Sequence, residues 1–168
     1  MDKDTKILFD ALIENLVELK RLQEQMSDAL SGKQKAMRQG DMNSLESWSA
    51  REKFLIDKIG ESETVSKKLA SELARKNGLD GEIGLTQLAN KFGEPYRSRL
   101  LALIGAIRTI AERVRQMNQV NDEVTRQILC CFADIQRQIS AAHCDTGLYD
   151  TTGQKKVGIP HGFLDAVG

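Results

Sequence analysis

Residues 95–143 read PYRSRLLALIGAIRTIAERVRQMNQVNDEVTRQILCCFADIQRQISAAH. Along this stretch a seam recurs at alternating steps of three and four: Leu100, Leu103, Ile107, Ile110, Val114, Met117, Asn121, Val124, Ile128, Cys131 and Ile135. That is the period of a coiled-coil or bundle face. One helix over 95–143 reaches ~75 Å at 1.5 Å per residue, too long for a single-core domain of 168 residues. The stretch therefore predicts an all-α fold, an elongated antiparallel three-helix bundle or coiled coil whose third helix is longer than its partners.

Upstream, two more helices are legible. Helix 1, about 4–38, carries Phe9, Leu12, Leu16, Leu19, Gln23, Met26, Leu30, Lys33 and Met37 at seam positions. Gly40-Asp41 then breaks the pattern, with Gly40 suited to the left-handed position after a helix end. Asn43-Ser44-Leu45-Glu46 has the form of a capping box, Asn43 as the cap and Glu46 reaching back. So short a connection makes helices 1 and 2 antiparallel neighbours. Helix 2, about 43–77, has the seam Leu45, Trp48, Glu52, Leu55, Ile59, Ser62, Ser66, Leu69, Leu73. Gly60, Ser62, Thr64 and Ser66 weaken its middle, where a kink or looser packing is expected. Trp48 reads as a core residue. Asn77-Gly78 ends the helix.

Between helices 2 and 3 lie Gly78, Gly81, Gly84 and Gly93, and within them 85–92 reads as a short extra helix. Its face, Leu85, Leu88, Ala89 and Phe92, is expected to clip over the open end of the hairpin. Pro95 suits the first turn of helix 3, where a missing N–H costs nothing. The bundle domain is thus expected over 1–144 and a flexible C-terminal tail over 145–168. That tail holds five glycines and Pro160 among Leu148, Tyr149, Val157, Ile159, Phe163, Leu164 and Val167. It reads either as a strap that binds something or as a disordered terminus.

Helices 1 and 2, at about 35 residues, reach ~52 Å, so helix 3 exceeds them by ~20 Å. Its late part, Ile128, Leu129, Phe132, Ile135, Gln136 and Ile139, forms a largely apolar stripe with little of helices 1 and 2 left to cover it. Such a stripe marks a partner surface or a dimer seam. The alternative is that the tail folds back over it.

Composition excludes several functions. Twenty-four basic residues balance 24 acidic ones, so no charge excess points to nucleic acid or an anionic membrane. No apolar run approaches the ~20 residues of a membrane-spanning helix, and the N-terminus lacks the apolar core of a signal peptide. Cys130, Cys131 and Cys144 show no framework spacing and read as reduced thiols of a cytosolic protein. Cys131 falls on the seam and reads as a small core hydrophobe.

Neither His143 nor His161 has a second His or Cys three or four residues away, and no Glu-x-x-His exists, so no metal site is expected. Phosphate loops, nucleophile elbows and dinucleotide glycine motifs are absent. No cofactor and no enzymatic activity are expected. Asn121, on the seam, reads as a buried residue that sets register and partner number.

Two segments together resemble the FlgN family of flagellar type III export chaperones. The first runs from Ala29-Leu30 to Ile59, where a helix ends before Gly40-Asp41 and Leu45, Glu52-Lys53, Leu55 and Ile59 follow. The second runs from Asn118 and Asn121 through Leu129 to Tyr149-Asp150 and Gly153. The resemblance implies a cytosolic, non-enzymatic chaperone that binds the terminal coiled-coil segments of the hook–filament junction proteins FlgK and FlgL. It implies delivery to the export gate, where a tail tyrosine, Tyr149 by position, docks on the FlhA cytoplasmic domain. The client surface would be Ile128 to Ile139. The 78–94 insert and the tail beyond Gly153 depart from the family pattern. The competing reading is a structural coiled-coil protein that forms a homodimer through helix 3.

Overall fold

The computed structural model describes residues 2–79, 81 and 83–145, the side chains of 142–145 excepted. It consists of α1 (Lys3–Gln39), α2 (Met42–Lys76), α3 (Leu85–Ala89) and α4 (Tyr96–Asp145), with no strand among the described residues. The three long helices match their expected bounds within two residues. The short one ends three residues before the expected 92. The tail, with Tyr149 and His161, and the side chains of His143 and Cys144 lie outside the described residues.

Local chemistry sets the ends. Asp2 caps α1 by accepting from the amides of Asp4 (2.6 Å) and Thr5 (3.1 Å). At the other end Gly40 takes φ +65°, left-handed as expected, and the Asp41 amide donates back to the Ala36 carbonyl at 3.1 Å. The α2 cap is Asp41, not Asn43. Its carboxylate accepts from the Ser44 amide (3.1 Å) and the Ser44 hydroxyl (2.6 Å). A charged acceptor two residues earlier, with a hydroxyl three positions on, starts the helix before the Asn43 box is reached. Pro95 lies just before α4, not in its first turn, and its carbonyl accepts from the Arg99 amide. The Glu94 carboxylate accepts from both the amide and the hydroxyl of Ser98 at that helix start.

The chain divides into two compact units, one ending at Glu123 and the other beginning at Val124. In the first, α1 and α2 are antiparallel: Asp4 meets Lys76 at one end and Lys33 meets Glu52 toward the other. The first half of α4 runs parallel to α1. Tyr96 sits edge-on to Phe9 at 5.1 Å, and Asn121 donates to the Leu30 carbonyl at 3.0 Å. This is the up-down-up order expected of the bundle.

Two apolar clusters fill this unit. One gathers Phe9, Leu12, Ile13, Leu16 and Leu19 of α1, Ala70, Leu73 and Ala74 of α2, and Leu100 of α4. Leu88, Ala89 and Phe92 of the clip close it. The clip therefore packs as expected, with Phe92 edge-on to Phe9 at 5.3 Å. The second cluster holds Leu22, Met26, Ala29, Leu30 and Leu55, with Val114 and Met117 against it.

Polar groups occupy the space between and beside these clusters. The Asn15 amide donates to the Ser62 carbonyl (2.8 Å) and the Ser66 hydroxyl (2.6 Å), and the Ser62 hydroxyl donates back to Asn15 Oδ1 (3.3 Å). The serines expected to loosen helix 2 are instead buried partners in a clasp, and the α-helix is unbroken through them. The two charges on the seams, Lys33 and Glu52, pair at 2.7 Å.

Two seam readings are corrected. Trp48 is 37% exposed and lies flat over Gly32, where a Cβ would sit 2.3 Å from the indole. The glycine surface is too shallow a seat to enclose the ring. Cys131 is exposed, not a core residue, because an unbroken period says nothing about whether a neighbouring helix faces it.

Candidate interaction surface

Along the first half of α4 the seam is packed. Leu100 is buried, Leu103 to Met117 are half-buried, and Asn121 is buried at 2% exposure. From Thr125 to Ala141 every side chain is exposed. All six residues expected to form the stripe lie in this stretch: Ile128, Leu129, Phe132, Ile135, Gln136 and Ile139. Five are large and apolar, and Leu129 and Phe132 expose more than 60% of their surface.

At 100° per residue, Ile128, Phe132, Ile135 and Ile139 fall within ~60° of one another on the helix circumference. Leu129 and Gln136 border them on one side, Cys131 and Gln138 on the other. The charged residues of the segment, Arg126, Asp134 and Arg137, lie on the opposite face, and Arg137 donates to Asp134 at 2.6 Å.

The step pattern changes here. Up to Val124 the seam alternates three and four. From Asn121 it runs Val124, Ile128, Phe132, Ile135, Ile139, with two successive steps of four. That 3-4-4 interruption keeps an undistorted helix on one face without supercoiling. It also moves the apolar role from Cys131 and Gln138 to Phe132 and Ile139, which is a sequence signal for Cys131 lying beside the stripe rather than at its centre.

Exposed apolar residues in such a row have no chemistry of their own. They can bury against another apolar surface, at about 25 cal/mol per Å2 removed from water. Among the described residues no cluster of three or more His, Cys, Asp or Glu side chains comes together.

The FlgN protein family matches residues 1–156, nearly the whole chain. The chain belongs to the FlgN family. FlgN proteins are chaperones of flagellar export rather than enzymes, and a row of exposed apolar side chains suits a protein that holds others. No protein with a curated description matches the chain, and no solved structure does. No helix among the described residues is long and apolar enough to cross a membrane.

A second surface escaped the periodicity. In the first unit a groove of about 720 Å3 is lined by Leu16, Leu19, Ala70, Ile83, Ile104 and Ile107, with Lys67 and Arg108 at its edge. It opens where Ser66 and Ala70 stand on the inner face of α2. Of the small residues that weaken the helix 2 seam, only Ser66 lines it, together with Ala70, Ser71 and Gly81.

Proposed function

We propose that this FlgN-family chain is a cytosolic export chaperone for hook–filament junction proteins of the FlgK and FlgL kind. In this reading the stripe Ile128, Leu129, Phe132, Ile135, Gln136 and Ile139 receives an amphipathic helix from the client's terminal coiled-coil segment. The chaperone covers that helix until delivery to the cytoplasmic domain of the FlhA gate, where Tyr149 docks. The observation that carries the reading is the run of exposed apolar side chains on α4 of a chain whose family consists of export chaperones. The gate contact rests on the position of Tyr149 in the sequence alone.

The physical economy is reasonable. A narrow exposed stripe binds with moderate strength and releases quickly, which handover needs. A client helix laid on it hides the apolar face that would otherwise assemble or aggregate too soon.

The test is co-purification of the full chain with terminal coiled-coil segments of the host's FlgK- and FlgL-like proteins, followed by maleimide footprinting in a Cys144→Ser background. Cys131 borders the stripe and Cys130 lies on the far face. Client binding should therefore protect Cys131 and leave Cys130 reactive. Equal protection, or none in a stable complex, would place the client elsewhere. Lack of a complex, with a concentration-dependent dimer by light scattering, would favour the structural coiled coil. Separately, Tyr149→Ala should weaken binding to the FlhA domain and spare client binding. Loss of both together would contradict divided roles.

A further inference from the structure

We infer that the stripe selects its partner helix without using charge: the occupant it fits is an amphipathic helix whose own apolar seam is flanked by uncharged side chains. This rests on the proposed stripe as the client surface and adds what kind of helix that surface prefers.

The argument comes from the two rims. In paired helices, residues flanking the apolar seam normally carry Glu and Lys, and their cross-pairs set partner, register and orientation. Here the half of the helix centred on Ile128, Phe132, Ile135 and Ile139 carries Val124, Thr125, Leu129, Cys131, Gln136 and Gln138. None of these is charged. The segment's charges are all turned to the other half, where Asp134 and Arg137 satisfy one another.

The contact between α1 and α2 is not built this way. A charge pair, Lys33–Glu52, sits within the α1–α2 seam, and Arg51 donates to Gln25 beside it. Charge is used where this molecule packs against itself and is missing where its apolar stripe is exposed.

Three consequences follow from the physics. A charged flank on the partner would be partly desolvated against Gln136, Gln138 or Leu129 with no counter-charge, which is unfavourable. Glutamine amides both donate and accept, so they suit polar uncharged neighbours of varied sequence. With a formal net charge of zero and a neutral contact face, association is not electrostatically steered and responds little to salt.

The experiment uses the full chain and four synthetic amphipathic helical peptides with the same apolar seam. Their flanking positions are all Gln, all Glu, all Lys, or alternating Glu and Lys. Binding is read by fluorescence anisotropy at about 50 mM and about 500 mM salt. The Gln-flanked peptide should bind tightest, with a Kd that changes less than about twofold between the two salts. Replacing Gln136→Glu and Gln138→Glu together should reverse the order in favour of the Lys-flanked peptide and introduce a salt dependence.

A charged peptide preferred by about tenfold or more by the unaltered chain, or a steep salt slope for the Gln-flanked one, would overturn this inference while leaving the stripe as a helix-binding site. Peptides that stay unbound while natural client segments bind would also overturn it. Failure of peptides and natural segments alike would remove the proposed function itself. A self-dimer that the peptides cannot compete away would assign the stripe to a second copy and overturn both.

Discussion

Replacing Ile135 by Asp separates a binding surface from a core position. Ile135 is 51% exposed, so folding has removed only about half of its surface from water. Substitutions at such sites change stability by about 0.5 kcal/mol or less, plus a few tenths for the poorer helix propensity of Asp. Thermal and urea midpoints should therefore stay close to those of the unaltered chain.

Binding is another matter. Fully burying an aliphatic or aromatic side chain contributes ~2 kcal/mol. Scaled by the surfaces still exposed on Ile128, Leu129, Phe132, Ile135 and Ile139, the stripe can contribute about 5 kcal/mol in all. Association costs roughly 4 kcal/mol or more before any affinity appears. The five side chains alone therefore do not reach the ~8 kcal/mol of a micromolar complex. The partner must bury all of them and touch the flanking residues too.

No single member can be spared in such a surface. Ile135→Ala should cost about 1 kcal/mol, near fivefold in Kd. Ile135→Asp adds a carboxylate that a partner must desolvate, about 2–3 kcal/mol more, so binding should fall by at least about a hundredfold. Isothermal titration with a client segment and far-ultraviolet circular dichroism of the same samples measure both quantities. Unchanged affinity, or lost helicity at unchanged concentration, would refute the reasoning.

Other expectations concern the first unit. Asn15→Ala leaves the buried Ser66 hydroxyl without its amide donor and should lower stability by about 1–2 kcal/mol in urea titration; Glu14→Ala, at an exposed position of the same helix, is the comparison. Gly32→Ala places a methyl group against the Trp48 indole and should displace it into water, read as a red shift of emission, with no shift if the ring is not seated on the glycine. The hydroxyl and amide of Ser44 hold the Asp41 carboxyl below its usual range. Since the folded value is the lower one, this cap's stabilisation is complete above the ordinary aspartate range and is lost as pH falls through the lowered value. Asp41→Asn keeps an amide cap that cannot titrate, so thermal melts should lose less stability on acidification than those of the unaltered chain; identical acid profiles would deny Asp41 that role.

Residue by residue, legibility followed the source of each signal. The α1 seam could be read from period alone because neighbours cover it from Phe9 to Leu30. Gly40 was legible because only a left-handed residue closes that turn so tightly. Lys33 and Glu52 could each be placed on a seam, though their pairing depends on how two helices align. Trp48 was misplaced because its surroundings are decided by Gly32 on another helix. Cys131 was misplaced because periodicity records which side a residue is on, not whether anything faces that side. The α2 cap went to Asp41 because two good capping residues compete within three positions. The stripe on α4 was found by comparing helix lengths, whereas the groove beside Ser66 needs the three-dimensional arrangement of small side chains.

The cross-links of the bundle also restrict how such a chain can evolve. Phe9 is fixed to Tyr96, Asn15 to Ser62 and Ser66, Lys33 to Glu52, and Leu30 to Asn121. A deletion in α1 between Phe9 and Leu30 would draw its two attachment points on α4 out of alignment unless α4 lost a matching piece, and α2 is tied to the same scale. The three helices can therefore shorten or lengthen only together and by near-whole heptads, so the spacing of Phe9, Asn15, Leu30 and Lys33 along α1 acts as a ruler for α2 and for the first half of α4.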